Sequence, residues 1–433
     1  MARPALEVNW LTSTDVLDPL DRKALAKIVE AFERAGELRP DHVLLDKDKS
    51  APFSVESLAK GLKESGDRVS VFFSPSAIKC SMSLQSLHGM PKLGFQLEMG
   101  IALDFFLDEK RAQSRADALV DLLRAVAEVS PPVYGWAHPL DDRMLGGDPH
   151  ATSVRAAKEV YEAYWLTALG GDLVKKLGRK RVMATPAYRV DELPGGGALI
   201  LTRPTPADAT SPEAREAQAR ALAHLKPEAS YEQALARLRE RSEKLAPVER
   251  KWDPDLAPLF ERVLERTPLD RKREVALALN RPRPPPSEWR SSSEQAKPDV
   301  DAARETSRYH DLAEQTVMGL HTSISDLLDG EPPSLAELDR FLWLQNYPRT
   351  SKPEKIDGLV ERIGAYLGQT MVRHLKGKWS PRKNVDEAAV VVGDRAWLPF
   401  LRVRHALASQ EAMLDHSLHQ FFRVAERHAR GGR

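Results

Sequence analysis

The chain has 433 residues, 42% of them hydrophobic and 29% charged, a balance that excludes a disordered chain and leaves room for two or three domains. Its 64 basic and 63 acidic side chains leave a net charge of +1, so no global field favours nucleic acid or an anionic membrane. A single cysteine, Cys80, excludes an internal disulfide and any CxxC zinc site.

The opening stretch MARPALEVNWLTSTDVLDPLD lacks the continuous apolar run of a secretory signal. No segment approaches the ~20 apolar residues that span a bilayer. The expectation is a soluble, cytoplasmic protein with no membrane partner.

In chain order, Leu6, Val8 and Trp10 alternate and predict a first strand. Asp18-Pro19 predicts the start of a helix whose apolar face is Leu25, Ile28, Val29 and Phe32. Three strands follow, over Val69–Phe73, Lys79–Ser86 and Gly94–Phe106. In the last of these Phe95, Leu97, Met99, Ile101, Leu103 and Phe105 take every second position, which implies one buried face in an antiparallel sheet. Cys80 falls on the apolar face of its strand and reads as a core thiol. Ser114 and Asp117 predict a capped helix carrying Leu119, Leu122, Leu123 and Val126. Val133–Ala137 reads as extended, Val154–Leu177 as a long helix ended by Gly178, and Tyr188–Glu192 with Ala198–Thr202 as a hairpin around Pro194–Gly197.

From Ser211 to Asn280 the pattern is helical and broken by prolines. Arg281–Ser293, RPRPPPSEWRSSS, reads as a stiff linker. Helices are then predicted near Val317–Leu328, Ser334–Leu344, Glu354–Leu375 and Ser409–Arg427, with a hairpin over Ala388–Val392 and Arg395–Phe400. The fold expected is α+β: a mostly antiparallel sheet with helices on one face, followed by a smaller helix-rich domain containing a β-hairpin. The expected boundaries are 1–225, a helical and proline-rich region over 226–300, and 301–433.

No P-loop, GxGxxG, GxSxG, HExxH or EF-hand pattern is present, and no cofactor is implied. Three weaker groupings remain. Tyr134–His150 offers His138, Asp141, Asp142, Asp148 and His150, a set suited to acid–base work or a divalent cation, although the spacing matches no particular site. The same stretch reads better as a recognition loop, with Tyr134 and Trp136 as aromatic anchors beside His138, Asp141, Asp142 and Arg143. Asp415, His416 and His419 could share a helix face, though half-buried helix residues are the commoner reading. In Met371–Arg433, Lys and Arg outnumber Asp and Glu twelve to six around Trp379 and Trp397, a nucleic-acid pattern weighed against a solvated helix face. Gly195–Gly197 lacks the Lys-Ser/Thr of a phosphate loop and reads as a turn.

At Tyr161–Pro206 the sequence resembles the bacterial type VI secretion immunity family. The residues that carry the resemblance are Tyr164-Trp165-Leu166-Thr167, Leu169-Gly170-Gly171-Asp172, Leu177-Gly178 and the glycine-rich hairpin Gly195–Ile200, with Val133-Tyr134-Gly135-Trp136 upstream. Ala207-Asp208-Ala209-Thr210 stands where the family often has a Gly-Asp-Val-Asn-like stretch. The resemblance covers about Leu6–Leu225. The second half is similar to an uncharacterised bacterial domain marked by Gly364-Ala365-Tyr366-Leu367-Gly368 and a later tryptophan, here Trp379. The resemblance implies a non-catalytic protein that binds and neutralises a cognate toxin, and it carries over no catalytic residue and no metal. The alternatives are an enzyme centred on the His138–His150 loop and a nucleic-acid-associated scaffold using the basic C-terminal half.

Overall fold

The computed structural model describes residues 4–46, 49–64, 70–74, 78–87, 90, 92–146, 158–252, 254, 256–344, 353–408 and 413–431. It divides into two compact units, Met1–Pro247 and Val248–Arg433.

The first unit begins with the alternating run, β1 (Ala5–Thr12), and α1 (Arg22–Glu33), whose predicted stripe is buried. Asp21 caps α1 by accepting from the Lys23 and Ala24 N–H groups. Asp18, expected in that role, instead holds the preceding turn through the Leu20 N–H. The unforeseen β2 (His42–Asp46), β3 (Lys49–Pro52) and α2 (Val55–Glu64) come next. The three expected strands appear as β4 (Ser70–Ser74), β5 (Cys80–Ser86) and β6 (Phe95–Ala102), Val69 lying outside the described residues. β6 stops four residues before Phe106 because Leu103–Phe106 winds into a 3-10 turn. That turn buries both Phe105 and Phe106, where a continued strand would bury only one.

α3 (Ala112–Val129) starts ahead of Ser114, whose hydroxyl donates back to the Arg111 carbonyl and caps nothing. Then come β7 (Pro132–Pro139) and α4 (Leu140–Gly146). Within its described residues, 158–177, the helix expected over Val154–Leu177 is not formed as one element. Residues 151–157 lie outside the described residues, Leu166–Leu169 is a strand, β8, and only α5 (Gly171–Leu177) is helical. Leu166–Leu169 is buried on both faces, and a run buried all round shows no period that separates strand from helix. Gly178 does end α5, with a φ of 91°. The remaining elements are α6 (Arg179–Met183), the predicted hairpin of β9 (Arg189–Leu193) and β10 (Gly197–Leu201), α7 (Pro212–Leu225) and α8 (Tyr231–Leu245).

The ten strands form one sheet in the order β3-β2-β4-β5-β6-β1-β7-β8-β10-β9, every neighbouring pair antiparallel. Leu6, Val8, Trp10, Leu97, Met99 and Ile101 face the core shared with α1, α2 and α3. On the other face, Tyr134, Trp136, Leu169, Ala198 and Ile200 pack with α7 and α8. Gly135 is paired with Trp10, and a Cβ there would lie 2.5 Å from the indole, so the Tyr-Gly-Trp motif places glycine where Trp10 must lie flat on the strand.

The second unit starts with α9 (Ala257–Arg266) and α10 (Lys272–Leu279). The expected linker is part of this unit: its end forms β11 (Trp289–Ser291), an edge strand of a second sheet. The boundary between compact units therefore falls at Pro247, and the helix at 231–245 belongs with the first unit, not with a linker region over 226–300. α11 (Ala302–Leu320), α12 (Pro333–Leu344) and α13 (Pro353–Leu375) follow. The predicted hairpin is β13 (Ala389–Val392) with β14 (Arg395–Trp397), extended by β12 (Lys378–Ser380) into the order β11-β14-β13-β12. α14 (Pro399–Ala408) and α15 (Leu418–Ala429) close the unit, residues 409–412 lying outside the described residues. Among the described residues, no helix is long and apolar enough to cross a membrane.

Candidate functional site

Tyr134, Trp136 and His138 take alternate positions on β7, a central strand, and face the side covered by α7 and α8. All three are buried, and so is Asp142 on α4. The expected recognition loop is therefore an interior strand followed by a short helix, and its aromatic residues are core, not surface anchors. Trp136 packs on Tyr164 with ring centroids 5.2 Å apart, and His138 lies 5.3 Å from the same ring. Of the six residues singled out, only Asp141 is exposed. Arg143 is half-buried, donating to Glu7 at 2.7 Å with its guanidinium 5.1 Å from the Trp136 ring. Asp148 and His150 lie outside the described residues.

The structure does bring His138 and Asp142 together, at 2.6 Å. The Trp165 N–H donates to His138 Nδ1 at 3.0 Å, so Nδ1 is an acceptor and the ring proton sits on Nε2, directed at Asp142. Burial pushes the imidazole pKa down, against the pull of Asp142, which would raise it. His138 is thus a neutral imidazole with both nitrogens engaged. Asp142 accepts a two-pronged contact from Arg215, Nη1 to Oδ2 at 2.6 Å and Nη2 to Oδ1 at 2.7 Å. Burial alone would raise its pKa, but the hydrogen bonds from His138 and Arg215 hold the carboxyl far below the usual range. Arg241 reaches the Asp142 carbonyl at 3.2 Å and pairs with Glu162. Ser242 takes the Arg215 Nε–H at 2.7 Å.

Arg215, Arg241 and Glu162 escaped the sequence reading. Their signal was present: Arg215, Ala219 and Leu222 stand at i, i+4 and i+7 on the apolar face of α7, and Ala234, Leu238 and Arg241 do so on α8. An arginine seated in an apolar stripe requires an acid opposite it.

The cluster has little chemical freedom. Its groups are spent on one another, and a substrate proton could reach His138 only if a buried bond broke. Clefts also open in this unit. One of about 190 Å³ borders Tyr161, Glu162, Arg237 and Arg241. One of about 550 Å³ has Pro132, Val133 and Leu173 in its wall and Lys92, Lys158 and Lys176 at its border. In the latter, Lys176 Nζ donates to the Lys158 carbonyl at 2.6 Å. Gly195, at a φ of 73°, is the turn glycine expected of the hairpin. Cys80 is half-buried against the core, and burial pushes its thiol up to about 12, which makes it a poor nucleophile.

In the second unit, Asp415 and His416 sit in a 3-10 turn ahead of α15, so the helix spacing that would aim Asp415, His416 and His419 together does not apply. Asp415 pairs with Arg281 and Arg283. The His419 N–H donates to Asp339 at 3.1 Å. His416 lies beside Glu288 and His405, two residues that no sequence motif connected. The basic C-terminal stretch is laced with ion pairs: Arg402 with Glu288, Arg404 with Asp357 and Asp386, Arg382 with Asp299, and Arg423 and Arg430 with Glu426. Trp397 is buried and Trp379 packs on Tyr309 and Phe400, so neither offers a free ring on which a base could stack.

No protein-family model and no curated protein matches this chain. Among solved structures it is similar to the T6SS protein PA0821 of Pseudomonas aeruginosa, with 15% sequence identity and a TM-score of 0.36 over 61% of this chain and 87% of that one.

Proposed function

We propose that this protein is a non-catalytic, cytoplasmic binding protein of the immunity type, which neutralises a protein toxin by covering it. The observation that carries this reading is the closure of the His138–Asp142–Arg215 cluster. His138, Asp142 and Arg215 are bonded to one another inside the core, an arrangement that supports a structural role for them. What the sheet offers to solvent is the polar face of β5 and β6 with the flank of β1: Ser81 and Glu98 exposed, and Glu7, Ser83, Gln85 and Gly100 partly so. A surface preformed on a sheet of this kind binds at a reduced ordering cost. Partial desolvation of the carboxylate against the sheet, together with the nearby Glu7, raises the Glu98 pKa although the residue as a whole is exposed. A Lys or Arg of the partner would relieve that repulsion, so the toxin is expected to present a basic side chain here. The resemblance at Tyr164–Thr167 and Gly195–Ile200 supports the same class of function.

The test is recovery of the tagged chain from its native cells in high salt, followed by co-expression with the recovered protein. The expected result is a stoichiometric protein partner whose toxicity is relieved by this chain. Glu98→Lys should weaken the complex at least ~10-fold. Absence of a toxic partner, or recovery of nucleic acid alone that is lost on raising salt, would overturn the reading.

A further inference from the structure

The second unit gathers one carboxylate and two imidazoles from three separate parts of the chain. Glu288 stands just ahead of β11, His405 is on α14, and His416 ends the turn before α15. One ligand atom from each lies within 4.8 Å of the other two. His405 Nδ1 is 2.8 Å from Glu288 Oε1, and His416 Nδ1 is 3.4 Å from the same oxygen. Metal–ligand bonds of 2.0–2.1 Å at tetrahedral angles place neighbouring ligand atoms about 3.3 Å apart, so the cluster is near the required spacing before any ion enters.

A set of ordinary ion pairs explains the geometry less well. Glu288 is buried, and Arg402 already meets its charge through Nη1 to Oε2 at 3.0 Å. His416 Nδ1 is buried and points into the cluster, where its contact is a long one to Glu288 Oε1 at 3.4 Å.

The outer contacts are those of a held ligand set. Glu288 Oε2 is fixed by Arg402 and by the Ser287 N–H at 3.2 Å, while the Glu288 carbonyl accepts the Leu398 N–H at 2.9 Å. Such partners orient a ligating carboxylate and leave its other oxygen free. The His405 side chain is 42% exposed and that of His416 25%, so one side of the cluster is open to a water as fourth ligand.

We infer that Glu288 Oε1, His405 Nδ1 and His416 Nδ1 bind one divalent transition-metal ion of the zinc class. Two imidazoles and a carboxylate are nitrogen and oxygen donors suited to zinc and its neighbours and poorly suited to calcium or magnesium. The ion would tie β11, α14 and the turn before α15 together, which gives the proline-rich segment ending at Glu288 a role as a ligand-bearing strap.

The experiment uses the full, untagged chain stripped by chelator, titrated calorimetrically with Zn²⁺ and by visible absorption with Co²⁺. One tight equivalent is expected, with Co²⁺ giving the intense bands of a four-coordinate site. His405→Ala and His416→Ala should each weaken binding at least ~100-fold, while His428→Ala, whose ring pairs with Asp394, should leave it unchanged. Glu288→Gln strands Arg402 and is expected to perturb folding, so the half-exposed His405 carries the decisive variant. No tight equivalent, or tight binding that survives His405→Ala in a chain with unchanged circular dichroism, would overturn the assignment.

Discussion

At the scale of single residues, Asp142 is the group on which the first unit depends. It is the shared acceptor of His138 and Arg215 and is closed off from water. Removing one partner from a buried ion pair costs about 3–5 kcal/mol because the other charge is left stranded. Asp142→Ala should therefore destabilise the first unit by that amount in urea denaturation, with hydrogen exchange localising the loss to α4, α7 and α8. Its neighbour Asp141 is exposed, and Asp141→Ala should change stability by less than about 0.5 kcal/mol. Equal costs for these adjacent aspartates would contradict the closed cluster. The sequence presents them as an equivalent pair; their burial separates them.

At the scale of elements, α13 explains the Gly-Ala-Tyr-Leu-Gly motif. Gly364 and Gly368 lie one turn apart and form a notch. A Cβ on Gly364 would meet the Phe400 ring at 2.4 Å, and one on Gly368 the Trp379 ring at 2.1 Å. Gly358, on the same helix, has nothing within 4 Å. Alanine gains about 1 kcal/mol over glycine in a helix interior, whereas overpacking a core costs about 1–3 kcal/mol. Gly358→Ala should therefore raise the unfolding midpoint and Gly368→Ala should lower it. Two identical substitutions ten residues apart are expected to have opposite signs. Equal shifts in chemical denaturation would sink this account of the motif. The same scale shows why β8 read as a helix. The stretch Ala163–Leu169 is aromatic or apolar apart from Thr167, and only pairing with β7 and β10 fixes it as a strand.

At the scale of the whole molecule, the buried histidine couples stability to pH. The folded pKa of His138 lies below its ordinary value of about 6.5. Below that pH the unfolded chain binds a proton that the folded chain resists, so stability is full above ~6.5 and falls as pH drops toward the folded pKa. The limiting slope from this group is about 1.4 kcal/mol per pH unit. Asp142, also depressed, adds a further loss only below about pH 3.9. Hydrogen exchange of the first unit at pH 7.5 and 5.5 should show the decline, and His138→Gln should flatten it in that window. An unchanged slope in the variant would mean that His138 is not the neutral group its contacts require.

Alternation and punctuation were enough, within the sequence alone, to determine β1, β6, the β9–β10 hairpin, the Gly178 stop and the α+β class. These are local properties: a side-chain period of two and a glycine at positive φ act within a few residues. The tertiary structure alone decided that the Arg281–Ser293 segment joins a sheet, that Tyr134, Trp136 and His138 face inward, and that Glu288 meets His405 and His416. Each of those outcomes depends on contacts between positions far apart in the chain, where no spacing in the sequence records the distance.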